Sequence, residues 1–144
     1  MACSMTLTLV SETQKGDIGN DWKYTLEAKL YSGALTGQGS VSVPKHTLDS
    51  GEQREPPGPP EPLVIEAGPP GGESRVELRL VATEVDLLRN DSGEAATSLT
   101  MRCPNAGEPP VVEEHEISVG VSEAPAYTKS AVLKIRVRLE IAAA

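Results

Sequence analysis

The chain has 144 residues and a formal net charge of −8, with 13 Lys and Arg against 21 Asp and Glu. This length suits a single domain, and the acidic balance disfavours nucleic-acid binding, because affinity for phosphate backbones depends on Lys and Arg. No apolar run approaches the ~18 residues of a membrane-spanning helix, and residues 1–10 lack the basic start and long apolar centre of a signal peptide. We therefore expect a cytoplasmic protein with no integral membrane segment and no nucleic-acid partner.

The first part of the chain predicts short strands separated by turns. Residues 6–10 alternate in polarity and form a candidate first strand, and residues 11–21 predict a loop because they are rich in Gly, Asn and Asp. Residues 22–31 place alternate apolar side chains on one face, which is typical of a half-buried strand. A shorter strand through Val41 and Val43 is expected to end at Pro44, since proline cannot donate to a ladder.

A Pro- and Gly-rich excursion follows over residues 45–73 and is the least globular part of the chain. Residues 57–60, Pro-Gly-Pro-Pro, contain the PxxP pattern of a ligand for proline-binding domains. A stiff, solvent-exposed connection is the simpler interpretation of the same residues. Residues 63–65 are apolar and form a candidate edge strand within the excursion.

Four further alternating segments complete the chain, over residues 76–82, 98–103, 117–121 and 133–141. Eight short, half-polar strands with no amphipathic helix predict an all-β fold, a single antiparallel β-sandwich over residues 1–141. Residues 142–144 are three alanines, which we interpret as an added tail.

The two cysteines, Cys3 and Cys103, are too few for a disulfide framework and lack the paired spacing of a zinc site. Cys103 shares the alternation of Leu99 and Met101, which predicts a buried, reduced thiol. A single bridge between the two cysteines is the alternative.

Two acidic segments at the ends of predicted strands are the main candidates for a functional site. The first contains Asp17 and Asp21, and the second contains Glu84, Asp86 and Asp91. Calcium takes about six to eight oxygen ligands, which two loops at one end of a sandwich can supply. If both segments lie at the same end, these five carboxylates are the predicted metal ligands and calcium the predicted cofactor. The alternative is that Asp, Asn and Gly only turn the chain.

The segment RLVATEVDLLRNDSGEA resembles the third calcium-binding loop of the synaptotagmin and protein-kinase-C type of calcium- and phospholipid-binding β-sandwich (C2-like). That loop usually reads D-x-D, a short spacer and N-D. The segment TLTLVSETQKGDIGNDWKYTLEAKL is similar to the opening strand, first loop and second strand of the same family. The resemblance implies a C2-like sandwich, and an immunoglobulin-like sandwich is the alternative. It also implies first-loop ligand roles for Asp17 and Asp21 and third-loop roles for Glu84, Asp86 and Asp91.

A basic row, Lys134, Arg136 and Arg138, lies on the outward face of the last predicted strand. In the resembled family a basic sheet face can engage acidic head groups. Pairing with acids on neighbouring strands, such as Glu77 or Glu27, is the favoured interpretation, because solvated rows of this kind usually pair across strands.

The sequence contains no recognisable catalytic motif. His46 and His115 are the only histidines, and residues 112–116 lack the two-histidine spacing of a zincin. There is also no nucleophile elbow and no phosphate-cradling glycine motif. We therefore expect no catalytic residues and a non-enzymatic, calcium-dependent binding module with a lipid, glycan or protein ligand. The alternative is a metal-independent interaction or scaffold domain that binds through a sheet face, an edge or the excursion.

Overall fold

The computed structural model describes residues 2–58, 60–86, 89–123 and 129–143. Several residues of the predicted features lie outside the described residues, namely Pro59 of the PxxP pattern, Leu87 and Leu88 of the second acidic segment, and Ala144 of the tail. The strands in chain order are β1 (Ser4–Gly16), β2 (Asp21–Ser32), β3 (Ala34–Thr47), β4 (Gln53–Arg54), β5 (Leu63–Glu66), β6 (Glu73–Glu84), β7 (Asp91–Arg102), β8 (Val111–Ser122) and β9 (Ser130–Ala142).

The strands form two antiparallel sheets that pack face to face, which confirms the predicted β-sandwich. One sheet has the order β4-β1-β9-β8, with β5 paired to the other end of β1. The second sheet has the order β3-β2-β6-β7. The core between them is aliphatic, as expected from a chain without Phe, and Trp22 is its one fully buried large aromatic side chain among the described residues.

Both open sides of the sandwich are closed by edge strands that approach one another. A Cβ on Gly93 of β7 would lie 2.2 Å from the carbonyl oxygen of Gly120 on β8, so only glycine allows this approach. On the other side, the Thr36 hydroxyl of β3 donates a hydrogen bond of 2.9 Å to the carbonyl of Glu66 on β5. Covered edges of this kind remove the unpaired strand groups that invite aggregation.

Strand β1 is longer than predicted and contains a register shift between Leu9 and Ser11. Residues 11–16, predicted as loop, continue the strand. An extra residue reverses which side chains face inward, so Glu12 and Gln14 lie wholly inside the sandwich. The period-two pattern fails there because the bulge interrupts it.

The buried Glu12 carboxylate is satisfied by a polar network. It accepts hydrogen bonds from the Tyr24 hydroxyl (2.7 Å) and contacts the His46 Nε2 atom (2.7 Å) and the Arg54 Nε atom (3.5 Å). Burial, followed by the negative charge of Glu12, raises the pKa of Tyr24 far above its usual range. The network joins β1, β2, β3 and β4.

Two predicted strand boundaries are wrong. Strand β3 continues through Pro44 to Thr47. Proline is tolerated there because β3 is an edge strand whose register with β2 shifts at this point, so no inter-strand hydrogen bond needs the missing N–H group. Strand β7 begins at Asp91, where the sequence Asn-Asp-Ser-Gly predicted a turn. Glu94, which was also predicted in this turn, lies within β7, where it pairs with Arg79.

Cys3 and Cys103 form a disulfide, which corrects the prediction of a reduced thiol at Cys103. Both cysteines are fully buried, and their Cα atoms lie 6.2 Å apart. Cys3 precedes β1 of one sheet, and Cys103 follows β7 of the other. The disulfide therefore ties the two sheets together at one end of the sandwich.

The basic row on β9 pairs with acids, as predicted, but with other partners than expected. Glu27 and Glu77 lie in the second sheet and cannot reach β9. Arg136 pairs with Glu114 and Glu116 of the neighbouring strand β8. The structure also pairs Lys134 with Glu116 and Arg138 with Glu140. In the part of the chain that the structure describes, no helix is long and apolar enough to cross a membrane.

Candidate functional site

Both acidic segments lie at the end of the sandwich opposite the disulfide. Strand β1 ends at Gly16, and β2 begins at Asp21, so residues 17–20 form one connection at this end. We call residues 17–20 the first acidic loop. Strand β6 ends at Glu84, which pairs with Trp22 of β2 and with Asp91 of β7. The Val85 amide donates to the carbonyl of Asp21 (2.7 Å), which joins the β6–β7 turn to the start of β2.

Glu84 is the central residue of this end. Its pairing with Trp22 places it on the inward face of β6, and the residue is only 3% exposed. Its Oε2 atom is buried and has no hydrogen-bond partner among the residues that the structure describes. Burying a carboxylate without a partner is costly, so the fold holds this group in an unfavourable environment.

The electrostatics of Glu84 follow from this environment. Burial is the largest cause, and the negative charges of Asp86, Asp91, Asp21 and Glu123 add to it, raising the pKa of Glu84 to about 7. Asp91 lies directly across the strand pair from Glu84, and like charges in this position repel. A cation placed among these groups would reverse the effect, because a nearby opposite charge favours the ionised carboxylate.

The structure brings four of the five predicted ligands into one electrostatic cluster, and these are Asp21, Glu84, Asp86 and Asp91. Asp17 is directed elsewhere. Its Oδ1 atom accepts a hydrogen bond from the Ser130 amide (3.1 Å), and its own amide donates to the Ser130 carbonyl (3.1 Å). Asp17 therefore fastens the first acidic loop to the start of β9.

The other acidic residues of the cluster make contacts with neighbouring polar groups. The Thr47 hydroxyl donates to Asp21 Oδ1 over 3.4 Å, and Arg89 Nε lies 3.9 Å from Asp91 Oδ1. The Asp86 amide donates to Asn90 Oδ1 (3.2 Å), which shapes the turn.

A cleft of about 520 Å³ opens beside Glu84. Its lining combines backbone of the first acidic loop with the acidic side chains and one lysine, from residues Ile18, Gly19, Asn20, Asp21, Lys45, Glu84, Val85 and Asp86. Three of the lining residues, Asp21, Glu84 and Asp86, carry carboxylates, the oxygen ligands that a hard cation such as calcium prefers.

Gly19 forms the wall of the cleft against Glu84. A Cβ built on Gly19 would lie 2.1 Å from Glu84 Oε1. The φ angle of Gly19 is 142°, which residues other than glycine rarely adopt. The backbone conformation therefore favours glycine here, and a larger residue would also displace the Glu84 carboxylate.

The acidic side chains of this end do not form a ready-made set of metal ligands among the described residues. Among residues 2–58, 60–86, 89–123 and 129–143, no three His, Cys, Asp or Glu side chains are placed to hold a metal ion. The unpartnered Glu84 Oε2 atom is the one buried oxygen of the cluster that lacks a hydrogen bond.

Sequence reasoning missed two charged residues of this end, Glu123 and Lys45. Glu123 follows β8 and acts on Glu84 through its charge, and Lys45 lines the cleft from β3. Neither belongs to an acidic motif. Because the third strand was predicted to end at Pro44, Lys45 was assigned to the excursion. No local signal in the sequence connects these residues with residue 84.

Comparison with known proteins gives no identification, since neither the family models nor the curated proteins contain a match to this chain.

Proposed function

We propose that this protein is a non-enzymatic, calcium-dependent binding module whose cation site is the acidic cluster around Glu84. The observation that carries the proposal is the buried Glu84 Oε2 atom, which has no hydrogen-bond partner in the described part of the chain. The negative charges of three aspartates also act on the Glu84 carboxylate. An uncompensated buried carboxylate at the wall of an oxygen-lined cleft is relieved by a bound cation.

In this proposal Glu84 is the fixed ligand, and Asp21, Asp86 and Asp91 complete the negative site. Asp86 belongs to the β6–β7 turn and Asp21 follows the first acidic loop, so binding draws the two connections toward one ion. Calcium accepts ligands from flexible loops in variable geometry, whereas magnesium demands near-ideal octahedral geometry. Calcium is therefore the preferred ion. Its remaining coordination positions would take oxygen atoms of a partner.

Calorimetric titration with calcium chloride in a calcium-free buffer near neutral pH tests the proposal. We expect measurable heat with the wild type and a higher melting temperature in calcium than in chelator, because a ligand that binds only the native state stabilises it. Magnesium at the same concentration should produce the weaker effect. Absence of both heat and a melting shift at millimolar calcium would contradict the proposal.

Variants locate the site. Glu84→Gln and Asp91→Asn should abolish the calcium effect, since each removes one buried carboxylate. Asp17→Asn should retain calcium binding, because Asp17 is engaged with Ser130. Glu113→Gln is the matched control, an exposed acid on β8. Partner binding that persists in Glu84→Gln would favour a metal-independent interaction domain instead.

A further inference from the structure

The side chain of Gln14 connects the first acidic loop to another part of the chain. Gln14 is fully buried because of the bulge in β1. Its Nε2 group donates to the carbonyl of Gly19 (3.2 Å) and to the carbonyl of Leu48 (2.9 Å). A single amide thus holds the loop that lines the acidic cleft against the start of the Pro- and Gly-rich excursion.

The beginning of the excursion also contacts the first acidic loop directly. We call residues 48–54 the strap. The Leu48 amide donates to the carbonyl of Asn20 (2.7 Å), and the Asn20 Nδ2 group donates to Asp49 Oδ1 (3.0 Å). The Gly51 amide donates to the carbonyl of Gln14 (2.8 Å), so the same glutamine is bonded to the strap through its backbone as well.

The strap is fastened to the core at both of its ends. Leu48 is fully buried in the hydrophobic core. Arg54, in β4, lies against the buried Glu12 carboxylate and donates to the Thr47 carbonyl. The strap is therefore attached to the core at both of its ends.

The loop supported in this way is the wall of the acidic cleft. Gly19 sits so close to Glu84 that an added Cβ would overlap the carboxylate. Trp22 Nε1 contacts the same Gly19 carbonyl (3.4 Å) that Gln14 holds. Any displacement of the strap that releases Gly19 must change the space available at Glu84.

We infer that the strap is a brace that positions the first acidic loop against Glu84 and thereby sets the cation affinity of the acidic site. This inference rests on the proposed function for its ligand, but the mechanical link between strap and loop can be measured without calcium. Gln14 and Asp49 are positioning residues in this scheme. Coupling of this kind is reciprocal, so cation binding must also order the strap.

Hydrogen–deuterium exchange in chelator tests the link itself. In Asp49→Ala, which removes the exposed Asn20–Asp49 bond, exchange over residues 17–22 should accelerate about fivefold, the effect of one lost hydrogen bond on local opening. Gln14→Met, which removes both buried bonds, should accelerate it further. Glu61→Ala is the control, since Glu61 is an exposed acid of the excursion outside the strap. Unchanged exchange in both Asp49→Ala and Gln14→Met would overturn the inference.

The same exchange measurements in the presence of calcium distinguish the role of the strap from the proposed function. In the wild type, calcium should slow exchange at the strap amides of Gly51 and Glu52, and Asp49→Ala should weaken calcium binding about fivefold while leaving the binding stoichiometry unchanged. A strap with a merely structural role would not respond to calcium, so unprotected strap amides in calcium-bound protein would overturn the coupling. Failure of the wild type to bind calcium would contradict the proposed function and the effect of the strap on cation affinity. Exchange in chelator would still decide whether the strap positions the loop.

Discussion

Replacing Glu84 with Gln isolates the cost of the buried carboxylate, because the substitution removes the charge and nearly preserves the size. The structure raises the pKa of Glu84 from 4.5 to about 7. At about 1.4 kcal/mol per pKa unit, full ionisation in the folded state costs ~3 kcal/mol. Water in the adjoining cleft screens part of this cost, so we expect about 2 kcal/mol.

The sign of the effect follows from the direction of the pKa shift. An acid whose folded pKa is raised destabilises the fold when it is ionised. The penalty is absent below the unfolded pKa of 4.5, grows as the pH rises toward 7 and is complete above that value. In chelator, the free energy of unfolding of Glu84→Gln minus that of the wild type should therefore increase by about 2 kcal/mol from about pH 4 to pH 8.

Urea unfolding followed by the fluorescence of Trp22 measures this difference at each pH. The change between the two pH values is the informative quantity, because the packing of the new amide contributes equally at both. Glu113→Gln should show no such pH dependence, since Glu113 is exposed. A Glu84→Gln difference that stays constant within about 0.5 kcal/mol would refute the reasoning. With calcium the order should reverse, because only the wild type gains stability from the ion.

Two further predictions concern the core. Tyr24→Phe should lower the free energy of unfolding by about 1.5–3 kcal/mol, because the buried Glu12 carboxylate loses the hydrogen bond from the Tyr24 hydroxyl. Tyr31→Phe is the control in the same urea titration and should change the free energy of unfolding little, because the ring keeps its contact with Arg75. Reduction of the Cys3–Cys103 disulfide, or Cys103→Ser, should cost about 2–4 kcal/mol, because the bridge closes a long loop in the unfolded chain. An equal urea midpoint in oxidised and reduced protein would contradict that expectation.

The fold class was predictable because alternation of polarity is a local property. Residues 22–31 and 133–141 show the period-two pattern over their whole length, and both are strands whose apolar face is buried. The ends of other strands were not predictable, because turn-forming residues also occur inside strands. Asp91 begins β7, and Pro44 lies within β3, since tertiary pairing outweighs local preference at an edge or a bulge.

The acidic cluster was predictable in part. The sequence by itself indicated that Asp21, Glu84, Asp86 and Asp91 lie in acidic segments between predicted strands, because turn-forming residues cluster around them. Only the tertiary structure decided which groups share an environment. The register of β2, β6 and β7 places Glu84 inward beside Asp91, and the contact with Ser130 holds Asp17 at the start of β9. The bulge in β1 buries Gln14 against the first acidic loop, and no local pattern predicts it, because the bulge is fixed by pairing with a strand more than 100 residues away.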